Sequence, residues 1–454
     1  MVTVRAILKI VALVITALAL PAALGAPTVI GALALNVPRT DGASARPAPV
    51  AHDPAKPTAI VVVGDRGAVV SDALAPYEIL ATTGAFNVYT VASESHPVPL
   101  TGGLDLVPDL TFAELEHVLD GPADVVVVPA MPDVGQPTTK PVTDWLVTQA
   151  SRGALLLSVC NGAGVLASAG LLDGHRATAH WLRIDEFEGR YAAVEWVRGT
   201  RYVDDGAVIS TAGVLSGIDG TLHVVERLIG ADAAADAAEA IGWRHHHPGG
   251  PAPMEQAGLG ASDAVVAFNT AFGWDRPTVG VLLTGGVGEI ELASVFDTYG
   301  ESLAVGTVAV GAGPVRSRHG LTFIPRSETA AGLDRLVVPG TTEHDAVAGP
   351  EPEYLHHGRG FPYDGVLQNL ARITDVSTAH WAAKVLEYPI DDLALSGPTW
   401  PWTETLRFVG LAAGGMLAAL AVFALVRRTR DGGSAAARRE RDQLLVSSPN
   451  VRNG

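Results

Sequence analysis

Short, unbroken apolar runs separated by helix-length amphipathic stretches dominate residues 58–245. TAIVVVG (58–64), FNVYTVA (86–92), ADVVVVP (123–129), LLLSV (155–159) and a run at 207–210 read as strands. Continuous apolar character, without alternation, marks strands buried on both faces, as the inner strands of a parallel sheet are. Helical stretches begin at Asp72, Phe112 and Asp144, and two more cover 220–228 and 231–241. This alternation predicts an α/β fold, whose sites form at the carboxyl ends of strands. One stretch stands apart. LLLSVCNGAGVL (155–166) runs from a strand through Asn161-Gly162-Ala163-Gly164 into a helix-like segment. A sharp strand-to-helix turn is written this way, with small residues where backbone packs on backbone and one residue exposed at the apex. Cys160 would be that residue, with a helix start behind it to favour the thiolate. The alternative is a core cysteine on a buried strand.

The hydrophobic pattern then begins again. TVGVLL (278–283) repeats the first strand and 289–300 the first helix; LDRLVVPG (333–340) matches ADVVVVPA (123–130), and VRSRHGLTFIPR (315–326) matches VPLTGGLDLVPD (98–109). Asp219–Trp243 matches Asp364–Tyr388 without a gap. The spacing between these blocks differs. Pro129 and Asp219 are 90 positions apart, while Pro339 and Asp364 are only 25 apart, so the elbow has no counterpart in the second copy. The pattern predicts a domain at 58–245, a linker at 246–276 and a degenerate domain at 277–390. Residues 36–57, rich in Pro and Ala, read as a linker.

Both ends are apolar with basic flanks. Arg5 and Lys9 precede an apolar run reaching Leu35, so residues 1–35 read as a transmembrane anchor or as a signal peptide with Leu24-Gly25-Ala26 at its cleavage site. Residues 406–426 read as a transmembrane helix, and Arg427, Arg428 and Arg430 open a basic tail, 427–454. Of the net charge of −17, the first nine residues carry +2 and the tail +4, which leaves −23 between the apolar segments. The acidic middle is therefore expected outside the cytoplasm and the tail inside it. So acidic a chain gains no electrostatic help toward nucleic acid. One cysteine excludes an intramolecular disulfide. His245-His246-His247 sits in a loop-like Pro/Gly stretch, and three consecutive residues cannot all face one ion; no metal and no cofactor are expected.

SVCNGAGVLASAGLLDGHRATAHW (158–181) resembles the nucleophile-elbow block of the ThiJ/PfpI family, within the class I glutamine amidotransferase-like fold. DALAPYEIL (72–80) is similar to the first-helix motif of its branch of AraC-regulator sensor domains and isonitrile hydratases. The resemblance implies two tandem flavodoxin-like, class I glutamine amidotransferase-like parallel-sheet sandwiches flanked by N- and C-terminal transmembrane helices. It implies Cys160 as nucleophile, Asp72 as its acidic partner, and the backbone N–H groups of Asn161 and Ala130 as oxyanion donors. His180, in ATAHW, is expected near the site in a structural role. Peptidase-like members have His where this chain has Asn161, and Gly is usual where it has Ala130. Two functions follow: cysteine-dependent hydration or hydrolysis of a small molecule, or non-catalytic sensing of a ligand or redox state. The branch's regulators bind DNA through a C-terminal helix-turn-helix, and no such pattern follows Val426, so no nucleic-acid partner is expected. The expected partners are a small molecule and the membrane. Members usually form homodimers, and a duplication would supply that partner in cis.

Overall fold

The computed structural model describes residues 2–33, 51–119, 121–250, 253–356 and 360–446; the readings made for 36–50 and 447–454 lie outside these. The chain forms two units. With elements numbered in chain order, the smaller unit holds α1 (Val2–Leu33) and α13 (Trp402–Val446). Among the described residues one helical span, Trp402–Leu425, is long and apolar enough to cross a membrane. The apolar stretch of α1, Leu13–Val29, is shorter than this.

The larger unit is built on a seven-stranded sheet. Its order is β10 (Tyr202–Asp204), β11 (Val208–Thr211), β7 (Leu155–Ser158), β6 (Val125–Val128), β1 (Thr58–Val62), β2 (Asn87–Ala92) and β5 (Leu110–Thr111). All neighbours are parallel except β10 and β11. The apolar runs are buried on both faces because period-2 alternation sends their side chains into two cores. Val61, Val127 and Leu157 join the core of α2 (Val70–Thr82), α7 (Ser216–Leu228) and α8 (Ala231–Ala240). Ile60, Val126 and Leu156 face that of α3 (Phe112–Val118), α4 (Lys140–Ser151), α5 (Gly162–Ser168) and α6 (Ile184–Arg190). A short ribbon, β8 (Arg176–Ala177) with β9 (Glu195–Trp196), flanks the sheet.

Residues 278–385 carry a second parallel sheet, ordered β13 (Gly306–Val310), β12 (Thr278–Leu282), β16 (Arg335–Val337) and β17 (Pro352–Glu353). It is covered by α10 (Glu289–Ser302), α11 (Pro362–Ile373) and α12 (Val376–Val385). Its strand order parallels β2-β1-β6-β7. The strand in the β7 position is only two residues long, and 354–356 continue it as coil rather than as a helix. An antiparallel sheet joins the halves: β14 (Val315–Arg316), β15 (Thr322–Ile324), β4 (Leu104–Val107) and β3 (Val98–Leu100), with Phe323 paired to Leu106. Arg326 closes that seam with two hydrogen bonds to the buried Asp105, at 2.9 and 2.7 Å. The stretch read as a linker at 246–276 is not all linker. It contains α9 (Ala264–Phe272), whose Asn269 amide donates to Thr378 Oγ1 at 2.9 Å.

Candidate active site

The chain after β7 turns so sharply that Cys160 adopts φ +56°. A left-handed conformation costs a non-glycine residue about 1–2 kcal/mol and persists where the surroundings enforce it. Two glycines enforce it here. A Cβ on Gly162 would lie 1.9 Å from the Val128 carbonyl oxygen, and one on Gly164 would lie 2.4 Å from the Phe187 ring. Cys160 is an elbow residue, yet it is 4 % exposed, so the thiol stands at the apex and still within the core.

Asp72 is the third residue of α2 and is fully buried. It does not cap its own helix. Its Oδ2 accepts the Ala130 N–H at 3.0 Å, so that N–H is already committed to a carboxyl oxygen and is not a free oxyanion donor. Burial pushes Asp72 well above the usual carboxylate range, and Asp297, Glu301 and Glu387 push it further. Its surroundings thus favour the neutral acid over the carboxylate. Its Oδ1 has no hydrogen-bond partner.

The sulfur does not behave as the helix start suggests. Burial comes first and the Asp72 charge second, and together they push the Cys160 thiol well above its ordinary range; the Asn161 N–H bond to sulfur opposes them. The α5 helix behind it is seven residues long, too short for its dipole to outweigh desolvation. The Asn161 N–H thus serves the sulfur, while its side-chain Oδ1 is buried without a partner. His180 is structural. Its Nε2–H donates to the Val385 carbonyl at 2.8 Å, its Nδ1 accepts from Leu182 N–H at 3.3 Å, and burial holds its pKa down to about 4.

The sequence reading missed the acids that reach this elbow from residues 278–388. Asp297 of α10 accepts Ser71 N–H at 2.8 Å and the Thr101 hydroxyl at 2.7 Å, fixing the start of α2. Glu387, just after α12, accepts Gly213 N–H and the Ser216 hydroxyl, both at 2.6 Å. Ser158 Oγ, Thr211 Oγ1 and Glu387 Oε1 join Asp72 Oδ1 and Asn161 Oδ1 as buried polar atoms without partners. So many beside the carboxyl ends of β7 and β11 mark a site and not a settled core.

The histidine run forms no metal cluster among the described residues; His245 packs edge-on against Trp243 and Tyr388. Glu78, Glu289 and His319 do converge within 4.8 Å. Each already has a partner: Glu78 accepts Ile290 N–H at 2.5 Å and pairs with Arg318 at 3.1 Å, and Glu289 holds the His319 ring at 2.8 Å.

The model of the DJ-1/PfpI family matches residues 58–227. Isonitrile hydratase of Pseudomonas putida is 34% identical over 164 residues, 36% of this chain and 68% of that protein. The HTH-type transcriptional regulator CdhR of Pseudomonas aeruginosa is 30% identical over 151 residues, 33% of this chain and only 43% of the regulator. Among solved structures, a ThiJ/PfpI family protein from Pseudomonas syringae is 26% identical at a TM-score of 0.39, covering 45% of this chain and 81% of that one. With its elbow cysteine and first-helix acid in place, this chain belongs to the DJ-1/PfpI family.

Proposed function

We propose that this protein is a membrane-anchored enzyme that hydrates a small molecule, of the isonitrile type, through Cys160. The observation that carries this reading is a cysteine held at φ +56° beside a buried carboxyl that its surroundings push toward the neutral form. In the proposed reaction the thiol adds across the terminal carbon of R–N≡C. Sulfur bonds to carbon and a proton, relayed by Asp72, goes to the same carbon, giving R–N=CH–S. Water then adds to that carbon, nitrogen takes a proton, and the C–S bond breaks to return the thiol and release R–NH–CHO. Asp72 can hold and return the proton because its environment favours the neutral acid.

The likeness to isonitrile hydratase supports the reaction class. Likeness to a transcriptional regulator favours a second reading, a sensor that binds the molecule without turnover. In either case residues 277–390 are a degenerate second copy standing where a partner subunit would. Equivalent bonds support this: Trp243 donates to Asp219 at 3.1 Å and Tyr388 to Asp364 at 2.5 Å. Trp402–Leu425 anchors the chain, residues 1–35 serve as a second anchor or as a cleaved signal peptide, both globular regions lie outside the cytoplasm, and Arg427, Arg428 and Arg430 hold the tail inside.

The test is turnover of cyclohexyl isocyanide by the full-length protein in detergent, followed as formamide release. Turnover lost in Cys160→Ser supports the enzyme. Binding without turnover supports the sensor, and neither binding nor turnover contradicts both.

A further inference from the structure

Residues 278–388 contain a counterpart of the Cys160 centre. With α10 laid on α2, Glu291 falls on Asp72 and Asp297 on Glu78. The hydrogen bonds between these two helices are reciprocal. Ser71 N–H donates to Asp297 at 2.8 Å, and Ile290, the counterpart of Ser71, donates to Glu78 at 2.5 Å. Exchange of this kind, i to j and j to i, is how two equal halves meet about a two-fold axis. Glu291 also stands against Gly340 as Asp72 stands against Ala130: a Cβ on Gly340 would lie 2.2 Å from Glu291 Oε2. The pairing of β17 with β16 repeats that of β7 with β6, which puts His356 in the place of Cys160. Its Nδ1 accepts Gly340 N–H at 3.0 Å and its Nε2–H donates to Ser294 Oγ at 3.1 Å, so both ring nitrogens are engaged. That place holds no thiol.

What this counterpart has instead is open space. The ungapped match between 219–243 and 364–388 places Gly242 on Glu387, and both are left-handed, at φ +73° and +53°. The Glu387 side chain fills the cleft at Gly213, where a Cβ would lie 2.3 Å from its carboxyl carbon. Gly242 has no side chain to do the same. A cavity of about 530 Å³ lies against it, between the end of α8 and the starts of α10 and α11. Ile241, Ile290 and Pro362 supply apolar wall, and the remaining side chains are largely charged. Arg318 is engaged by Glu78 and Glu291, at 3.1 Å from each. Arg244 is exposed and directs Nη2 at Asp364 and Tyr388, which leaves Nε and Nη1 open. Glu291 accepts Gly288 N–H and Arg318 on Oε2, which leaves Oε1 open. Glu239 is exposed and has no hydrogen bond among the described residues. Open donors and open acceptors thus line one solvent-reached cavity.

We propose that this cavity is a second binding site, for a small amino carboxylic acid in its zwitterionic form, with Arg244 taking the carboxylate and Glu239 and Glu291 the ammonium. A ligand of one sign would leave the opposite charges of the wall unmet, whereas a zwitterion meets both. The guanidinium fork of Arg244 matches a carboxylate, and the volume is that of a small-molecule site. The equivalence draws on the reading of 277–390 as a second copy; the site itself requires no turnover at Cys160.

Calorimetric titration of the full-length protein in detergent at pH 7 tests it. The probes are L-leucine and 6-aminohexanoate, whose charges stand a short and a long span apart, against pentylammonium and hexanoate. At least one zwitterion should bind about fivefold or more tighter than either singly charged probe, the effect of one charged hydrogen bond at a partly exposed site. Arg244→Gln and Glu239→Gln alter exposed side chains, so both variants should fold, and each should weaken that zwitterion by about fivefold. Cys160→Ser should leave its affinity unchanged, which tells this site from the elbow. Absence of zwitterion binding, equal binding of a singly charged probe, or unchanged affinity in either glutamine variant overturns the proposal, as does loss of binding in Cys160→Ser. Cyclohexyl isocyanide turnover is read separately: zwitterion binding without turnover sinks hydration alone, and turnover without zwitterion binding sinks this site alone.

Discussion

Replacing Asp297 by Asn should change how stability depends on pH. Asp297 is fully buried, and burial raises its pKa from 3.8 to about 6 despite the Ser71 and Thr101 bonds. Between those values the folded protein holds a proton that the unfolded chain has released. Stability from this group is therefore complete below pH 3.8 and is lost as pH rises through 6. The whole span is about 3 kcal/mol, of which about 1.4 kcal/mol falls between pH 5 and pH 8. Glu387, raised to about 7, adds loss in the same direction. The wild-type protein should thus melt at a higher temperature at pH 5 than at pH 8. Asn carries no such proton, and the variant should lack about 2 °C of that decline. Melting both proteins at pH 5, 6, 7 and 8 measures it. Parallel curves would refute the reasoning, because the Asp297 carboxyl would then titrate alike in the folded and unfolded chain.

Further outcomes follow from the seam, the elbow and the anchor. Arg326→Met strands the buried Asp105 charge and should cost about 3 kcal/mol, the low end for a broken buried pair because Arg326 is partly exposed; urea unfolding against the Asp105→Ala/Arg326→Met double variant checks it, and the double should recover part of the loss. Gly162→Ala drives a Cβ into the Val128 carbonyl and should destabilise by about 2 kcal/mol or more, read as a lower melting temperature with faster alkylation of Cys160 as the elbow opens. In a Cys160→Ser background, a cysteine at Ser44 should react with an impermeant thiol reagent on whole cells and one at Ser447 should not; the reverse pattern would invert the proposed topology.

Much of the fold could be read from the chain because its central strands are buried on both faces. TAIVV, VVVV and LLLS carry polar residues only at a strand end, and each became a strand of the parallel sheet. The pieces that escaped are those whose partners are remote. The strand β4 pairs with β15, more than 200 residues away, and no local pattern announces that. Similarly, α9 hides in a Gly- and Pro-flanked stretch because its contact is Thr378. At the candidate site, the strand-to-helix elbow at Cys160 and the helix that carries Asp72 were legible from local motif. The reactive state of the thiol was not, since desolvation by the surrounding core outweighs a helix of about two turns. Glu387 carried no local signal of this kind. Its meaning depended on a backbone angle and on the Gly213 cleft, neither of which a one-dimensional pattern contains.

The measurement that bears most directly on the account is the rate of iodoacetamide alkylation of Cys160 against pH in the wild type, Asp72→Asn and Asp72→Ala. As the chain's sole cysteine, it gives an unambiguous signal. Burial and Asp72 place the wild-type inflection above the ordinary value of about 8.5. Asp72→Asn keeps an acceptor for the Ala130 N–H but carries no charge, and Asp72→Ala removes the group; both should move the inflection to lower pH, toward the value that burial alone sets. Three coincident profiles near 8.5 would contradict the account, for Cys160 would then be an ordinary thiol that Asp72 does not influence.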